Sequence, residues 1–124
     1  RFYDVLRREQ FIQLMAQHDV CLSAARSDSS PVSVIEAMAL GVIPVAADIL
    51  GVREWLTDQS GFLYPQDDTQ ALRQIIEALV TDSNDYGDMR RANFESVQKQ
   101  AIFEENISHQ LDIMTDLAAS WRRP

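Results

Sequence analysis

Apolar and polar positions along the chain keep changing period, with short β-rich runs giving way to helical repeats and back again. "RFYDVL" at the start reads as a strand. "RREQFIQLMAQH" puts Phe11, Ile12, Leu14 and Met15 on one helical face. "DVCLSA" is again a strand, and the loop "ARSDSS" follows it. Residues 31–40 predict a helix with Ser30 as N-cap, Pro31 at the first helical position and Gly41 just past the end. "VIPVAA" is a third, buried strand, "VREWLT" a short helix, and Gly61 introduces a fourth strand, "FLYP". From there the chain is helical. Asp68 or Thr69 caps a helix in which Leu72, Ile75, Ile76, Leu79 and Val80 hold strict helical spacing. Two more helices lie past Asn84. One carries Tyr86, Met89 and Val97; the last, from about Phe103 to Trp121, has Ile107, Leu111, Met114 and Leu117 or Ala118 on one side.

Strands joined by helices of this size imply parallel pairing and right-handed crossovers. The expected fold class is therefore α/β, a doubly wound parallel sheet with C-terminal helices. At 124 residues it is one domain, with residues 1–82 forming the α/β layer and 83–124 the helices. There are no repeats, low-complexity runs or linkers. Hydrophobic residues make up 46%, which argues against disorder, and no apolar run approaches a membrane span. With no signal-peptide pattern, a cytoplasmic location is expected. The chain opens on Arg1 without an initiator Met, which reads as a piece of a longer protein. On that reading the sheet is truncated at its N-terminal side, leaving an edge open to self-association with another copy.

Charge narrows the partners. The net charge is −8, and the positive residues are ten Arg and the single Lys99, so nucleic acid is not expected. A small anion remains compatible, because a helix N-terminus binds phosphate without net positive charge. Cys21 is the only cysteine, so no internal disulfide forms, and within "DVCLS" it reads as a core thiol. His18 and His109 have no partner at metal or triad spacing; no metal and no cofactor are expected. "NIS" at Asn106 matches the glycosylation triplet but lacks a secretory context. A signalling receiver domain shares this size, acidity and pattern. It needs a Lys at the end of a late strand, however, and Lys99 sits in a helix beyond the last one.

In an open parallel sheet, ligands bind beyond the carboxyl ends of the strands. Two loops occupy that edge, "ARSDSS" and "ADILG". The first feeds the helix at Pro31, where the backbone amides of Ser29, Ser30, Val32 and Ser33 are expected to point outward, backed by the helix dipole. Such a tip suits a phosphate or a sugar hydroxyl. Glu36 falls about a turn and a half into the same helix, and its side chain leans back toward the N-terminus. Its carboxylate could accept two hydrogen bonds from a vicinal diol. By spacing alone Asp28 reads as a capping or loop residue, Arg26 as a surface arginine and Glu54 as a helix-terminus acid.

The stretch "DVCLSAARSDSSPVSVIEAMALGVIPVAADILGVREWL", followed by "GFLYP", resembles the donor-binding segment of group 1 glycosyltransferases, which have the GT-B fold. That family carries an acid and a Glu separated by seven residues, then Ala-Met-Ala and Gly-x-Pro-Val. Here these are Asp28, Glu36 and "AMALGVIPV". The resemblance is specific from Asp19 to Tyr64. It implies a Rossmann-like half of a GT-B fold in which Glu36 holds the nucleotide ribose. Asp28, as the catalytic position on the donor-sugar side, would face the donor sugar and diphosphate together with the amides after it. The implied partners are a nucleoside-diphosphate sugar and an N-terminal acceptor domain of the same parent.

Three departures stand out. Asp28 replaces the usual Glu, and Leu50-Gly51 the usual Gly-Gly, although Glu54 keeps its place in "GVRE". The family's Arg/Lys pair that clamps the diphosphate would precede Arg1. The expected function is the donor-binding part of an enzyme that moves a sugar to an acceptor hydroxyl, with this chain inactive alone. The alternative is a non-catalytic GT-B-like domain. The apolar stripe of the last helix is either core packing or a surface that crosses to the acceptor domain.

Overall fold

The computed structural model describes residues 3–81 and 85–120. In chain order the elements are α1 (Arg8–Met15), β1 (Val20–Ser23), α2 (Val32–Ala39), β2 (Ile43–Ala47), α3 (Leu50–Arg53), β3 (Phe62–Tyr64), α4 (Thr69–Thr81), α5 (Gly87–Gln100) and α6 (Phe103–Ser120). The strands form one parallel sheet in the order β1-β2-β3. Leu22 lies opposite Val45, and Val45 opposite Phe62. The strand expected over residues 1–6 is a correction. Residues 3–7 adopt no strand, and Val5 is fully exposed, so an extended segment there would bury no face. Arg1 and Phe2 lie outside the described residues.

β2 is buried along its whole length. On one face Val45 and Ala47 pack with Tyr64 against Leu72, Ile75 and Leu79 of α4. On the other, Ala46 meets Val34 and Met38 of α2, together with Val52 and Leu56, and Val97 of α5 lies against that cluster. The result is a sheet with helices on both faces, as expected. Each fully buried aliphatic side chain contributes roughly 1.5–3 kcal/mol. A third cluster joins Met15, Ala37 and Val42 with Phe11, Cys21 and Leu40, seating α1 beside α2 and β1.

Helix ends follow local chemistry. The Arg7 amide donates to Gln10 Oε1 (3.1 Å) at the start of α1. Asp68 Oδ1 accepts from the amides of Gln70 and Ala71 (3.1 and 2.9 Å), so Asp68, not Thr69, caps α4. Ser30 is not the N-cap of α2. Pro31 holds that position with φ −75° and ψ 71°, the centre of an inverse γ-turn closed by the Val32 amide on the Ser30 carbonyl (2.8 Å). The first helical residue is thus Val32. At the other end Gly41 has φ 71°. Its amide donates to Met38 and that of Val42 to Ala37 (3.2 and 2.9 Å), the Schellman pattern.

Two features were not foreseen. Asn93 is buried in α5, where its Nδ2 donates to the Ser60 carbonyl (2.8 Å) and pins the helix to the turn before β3. Val80 was expected on the apolar stripe of α4 but is exposed. The stripe on α6 exists, yet Ile107, Leu111, Met114 and Leu117 are all exposed; Trp121 lies outside the described residues. Among the described residues no helix is long and apolar enough to cross a membrane.

A Cβ added at Gly41 would meet nothing within 4 Å, so substitution there carries a backbone penalty alone. Gly41→Ala should lower unfolding free energy by about 1–2 kcal/mol in urea denaturation, and Gly41→Asn by less.

Candidate functional site

All three strands deliver their carboxyl ends to one edge, and the loops that follow them are tied together there. Tyr64 Oη donates to the Ser23 carbonyl (3.4 Å) and Gln66 Nε2 to the Arg26 carbonyl (3.0 Å). Arg26 Nη2 pairs with Asp67 Oδ2 at 2.6 Å. Asp67 itself has φ 66°, a left-handed conformation that Asp tolerates better than most residues. Between these loops, Gly51 of α3 is buried against the backbone of Asp28 and Ser29.

Asp28 is half-buried, and its Oδ1 accepts the Ser30 amide at 3.0 Å, forming an Asx turn. This is the loop role that spacing alone suggested. Because the Val32 amide closes the γ-turn, only two of the four expected amides remain open. Among the described residues, Ser29 and Ser33 present N–H groups without a protein acceptor, while those of Ser30 and Val32 are used internally.

Glu36 projects from the third position of α2 after Ser33 toward α1, and its side chain is only 13% exposed. Arg8 Nη1 of α1 lies 2.7 Å from Glu36 Oε1, with the arginine side chain 72% exposed. The approach is too oblique for a hydrogen bond, and that oxygen is sealed from solvent without a hydrogen-bond donor. Glu36 is therefore a carboxylate with charge compensation but with hydrogen-bonding capacity to spare. It joins none of the apolar clusters.

At the end of β2, Arg53 grips Asp48 through both ends of its fork: Nε to Oδ1, and Nη2 to Oδ2 at 2.8 Å. The hydrogen bond from Arg53 holds the Asp48 carboxyl below its ordinary range and raises the guanidinium in turn. Beside the sheet, a groove of about 450 Å³ runs along β1 past Phe11, Leu14, Cys21 and Leu22 and reaches the tip of α2 at Ser33. Cys21 is half-buried beside the Met15–Ala37–Val42 cluster, and that burial pushes its thiol up. His18 Nδ1 sits 2.8 Å from the Leu14 carbonyl at the end of α1, and Glu54 is exposed at the end of α3. Among the described residues, no group of His, Cys, Asp and Glu could hold a metal ion.

Sequence reasoning missed Arg8, Gln66, Asp67 and the Asp48–Arg53 fork. The only signal was the "QDD" turn chemistry before α4. The other contacts depend on how separate elements pack.

A family model described as glycosyl transferases, group 1, matches residues 1–96. Among solved structures, Anabaena HepE in complex with UDP superposes with a TM-score of 0.68 at 24% sequence identity, over 84% of this chain and 29% of that one. The chain thus spans under a third of that neighbour's length. The α/β fold expected from the sequence, a fragment of a GT-B fold, is the fold the two share. No curated protein matches the chain.

Because Asp48 binds a proton less readily when folded than when unfolded, its contribution to stability is present at neutral pH. That contribution is lost as pH falls below the ordinary aspartate range and through the folded value. Urea midpoints measured down an acid series should fall more steeply for the natural chain than for Asp48→Asn, and the difference should shrink in high salt.

Proposed function

The chain belongs to the group 1 glycosyl transferases, and we propose that it is the donor-binding part of an enzyme moving a sugar from a nucleoside-diphosphate sugar to an acceptor hydroxyl. Glu36 carries this reading. A largely buried carboxylate on the helix behind the site keeps an oxygen without a hydrogen-bond donor. The two hydroxyls of a ribose supply such donors, and Arg8, being mostly exposed, can swing aside at little cost. The open amides of Ser29 and Ser33, at the positive end of α2, face the diphosphate. Ser30 and Val32 contribute shape, since their own amides are engaged. Asp28, fixed in its Asx turn, stands on the donor-sugar side.

The domain's share of catalysis is positional and electrostatic. It orients the donor and stabilises the departing diphosphate with fixed N–H dipoles. The acceptor site belongs to an N-terminal domain of the same parent, so the chain alone should turn over no substrate. We place the protein in the cytoplasm. UDP in the HepE complex makes UDP the first probe, although the base remains part of the proposal.

Calorimetric titration of UDP should give saturable binding, weakened about 10- to 150-fold by Glu36→Ala, the equivalent of a lost hydrogen bond to a charged group. Binding indifferent to Glu36 would remove the ribose role. Leu50, 80% exposed at the start of α3, favours a second reading, a non-catalytic GT-B-like domain with a bulkier pocket wall. Under that reading the full-length parent transfers no sugar even when it binds UDP.

Among the described residues β1 is bonded to β2 alone, so its outer edge is open to a second copy. The scattering mass of the isolated chain should rise with concentration; a constant monomer mass would count against self-association.

A further inference from the structure

We infer that Gly51 is a positioning residue for the proposed donor site, setting the direction in which the Ser29 amide points. The inference rests on the donor reading, but its central geometric claim is independent of it. A Cβ built on Gly51 would lie 2.2 Å from the Asp28 carbonyl oxygen, 3.1 Å from the Asp28 carbonyl carbon and 3.3 Å from that of Ser29. Every one of these neighbours is backbone, so no rotamer change relieves the collision. Gly51 does not occupy the left-handed region, unlike Gly41 with φ 71°, whose Cβ position is open space. At Gly41 glycine is required by conformation; at Gly51 it is required by proximity.

The consequence lies in the peptide that Gly51 touches. The Asp28 carbonyl and the Ser29 N–H belong to one planar unit, and no cis bond occurs among the described residues, so the two groups point in opposite directions. With the carbonyl seated on Gly51, the N–H is turned away from α3. The Ser29 amide is one of the two that keep no protein acceptor. The carbonyl cannot rotate toward α3 without closing on Gly51, and α3 is tethered to the end of β2 by the Asp48–Arg53 fork. The contact is therefore a stop that aims an anion-facing donor.

The test uses a matched control. Gly61 is also too tight for a Cβ, whose position would lie 2.6 Å from the Pro44 carbonyl oxygen and 2.8 Å from Pro44 Cγ, but it sits at the amino end of the sheet. Gly51→Ala and Gly61→Ala should both lower stability. In amide correlation NMR spectra, Gly51→Ala should move the Ser29 resonance more than any amide outside residues 26–33 and 48–54, and Gly61→Ala should leave it in place. An unmoved Ser29 amide in folded Gly51→Ala overturns the inference, whether or not UDP binds.

With UDP and uridine as probes, Gly51→Ala should weaken UDP about 10-fold, the size of one hydrogen bond to a charged group, and leave uridine within about twofold. Glu36→Ala should weaken both. Equal losses for UDP and uridine in Gly51→Ala would reject the positioning role while leaving the donor reading standing. Failure of the natural chain to bind either probe would instead reject the donor reading. If Gly51→Ala does not fold, Ser29→Pro, which deletes the N–H and leaves α3 intact, must reproduce the UDP-selective loss; an unchanged ratio overturns the inference.

Discussion

β2 has no side chain in contact with bulk water, and a strand buried on both faces dictates what must surround it. One face needs α2 and α3, the other α4. Parallel pairing on both sides of β2 then requires each strand to be re-entered from the same end, so every strand–helix loop emerges at the carboxyl edge. The site is a by-product of that burial. The same covering that removes Val45, Ala46 and Ala47 from water ties the Arg26–Asp28 loop to the Gln66–Asp67 turn and seats Gly51 of α3 against the Asp28 backbone.

α2 then performs two tasks with one set of residues. Val34, Ala37 and Met38 anchor it in the interior, while Ser33 and Glu36 fall on its remaining side, toward α1 and the tip. A helix this apolar would ordinarily exclude a carboxylate. Glu36 is tolerated because Arg8 supplies charge compensation from a neighbouring helix while remaining solvated itself. The arrangement leaves the acid poised. It is shielded enough that a hydrogen bond donated to it would be strengthened, yet it is not locked into a satisfied network.

Much of this was readable in the chain, for identifiable reasons. The apolar run "VIPVAA", the Pro31 and Gly41 punctuation and the helical spacing of Leu72, Ile75 and Leu79 are local signals, and each produced its element. Failures came where a local signal needed a tertiary partner. "RFYDVL" has strand-like composition but, over the described residues 3–7, no neighbour to pair with, and β preference is chiefly a statement about neighbours. Ser30 reads as the N-cap with Pro31 at the first helical position, and the γ-turn moves both by one residue, leaving Pro31 as the cap and Val32 as the first helical residue. Asn93 gave no warning because its acceptor is 33 residues away on the chain. The site residues were legible as types and spacing, but the Arg8 contact and the closeness of Gly51 exist only once α1, α2 and α3 are packed, and the Asp48–Arg53 fork only once the turn into α3 has formed.

An acidic domain proposed to hold a diphosphate raises a problem of charge. At this edge Arg26 and Arg53 are hydrogen-bonded to Asp67 and Asp48, and Arg8 lies beside Glu36 as its counter-charge. What the edge would offer an anion on that reading is dipolar, two open amides and the end of α2, and dipoles act only at short range and only when aimed. Aim therefore matters more for such donors than for a free arginine, because a charge tolerates misplacement and an N–H does not. On the proposed reading, that is the physical reason for a glycine whose contribution is the closeness it permits: seated against the Asp28 carbonyl, it would keep the Asp28–Ser29 peptide plane, and so the open Ser29 amide, in one orientation.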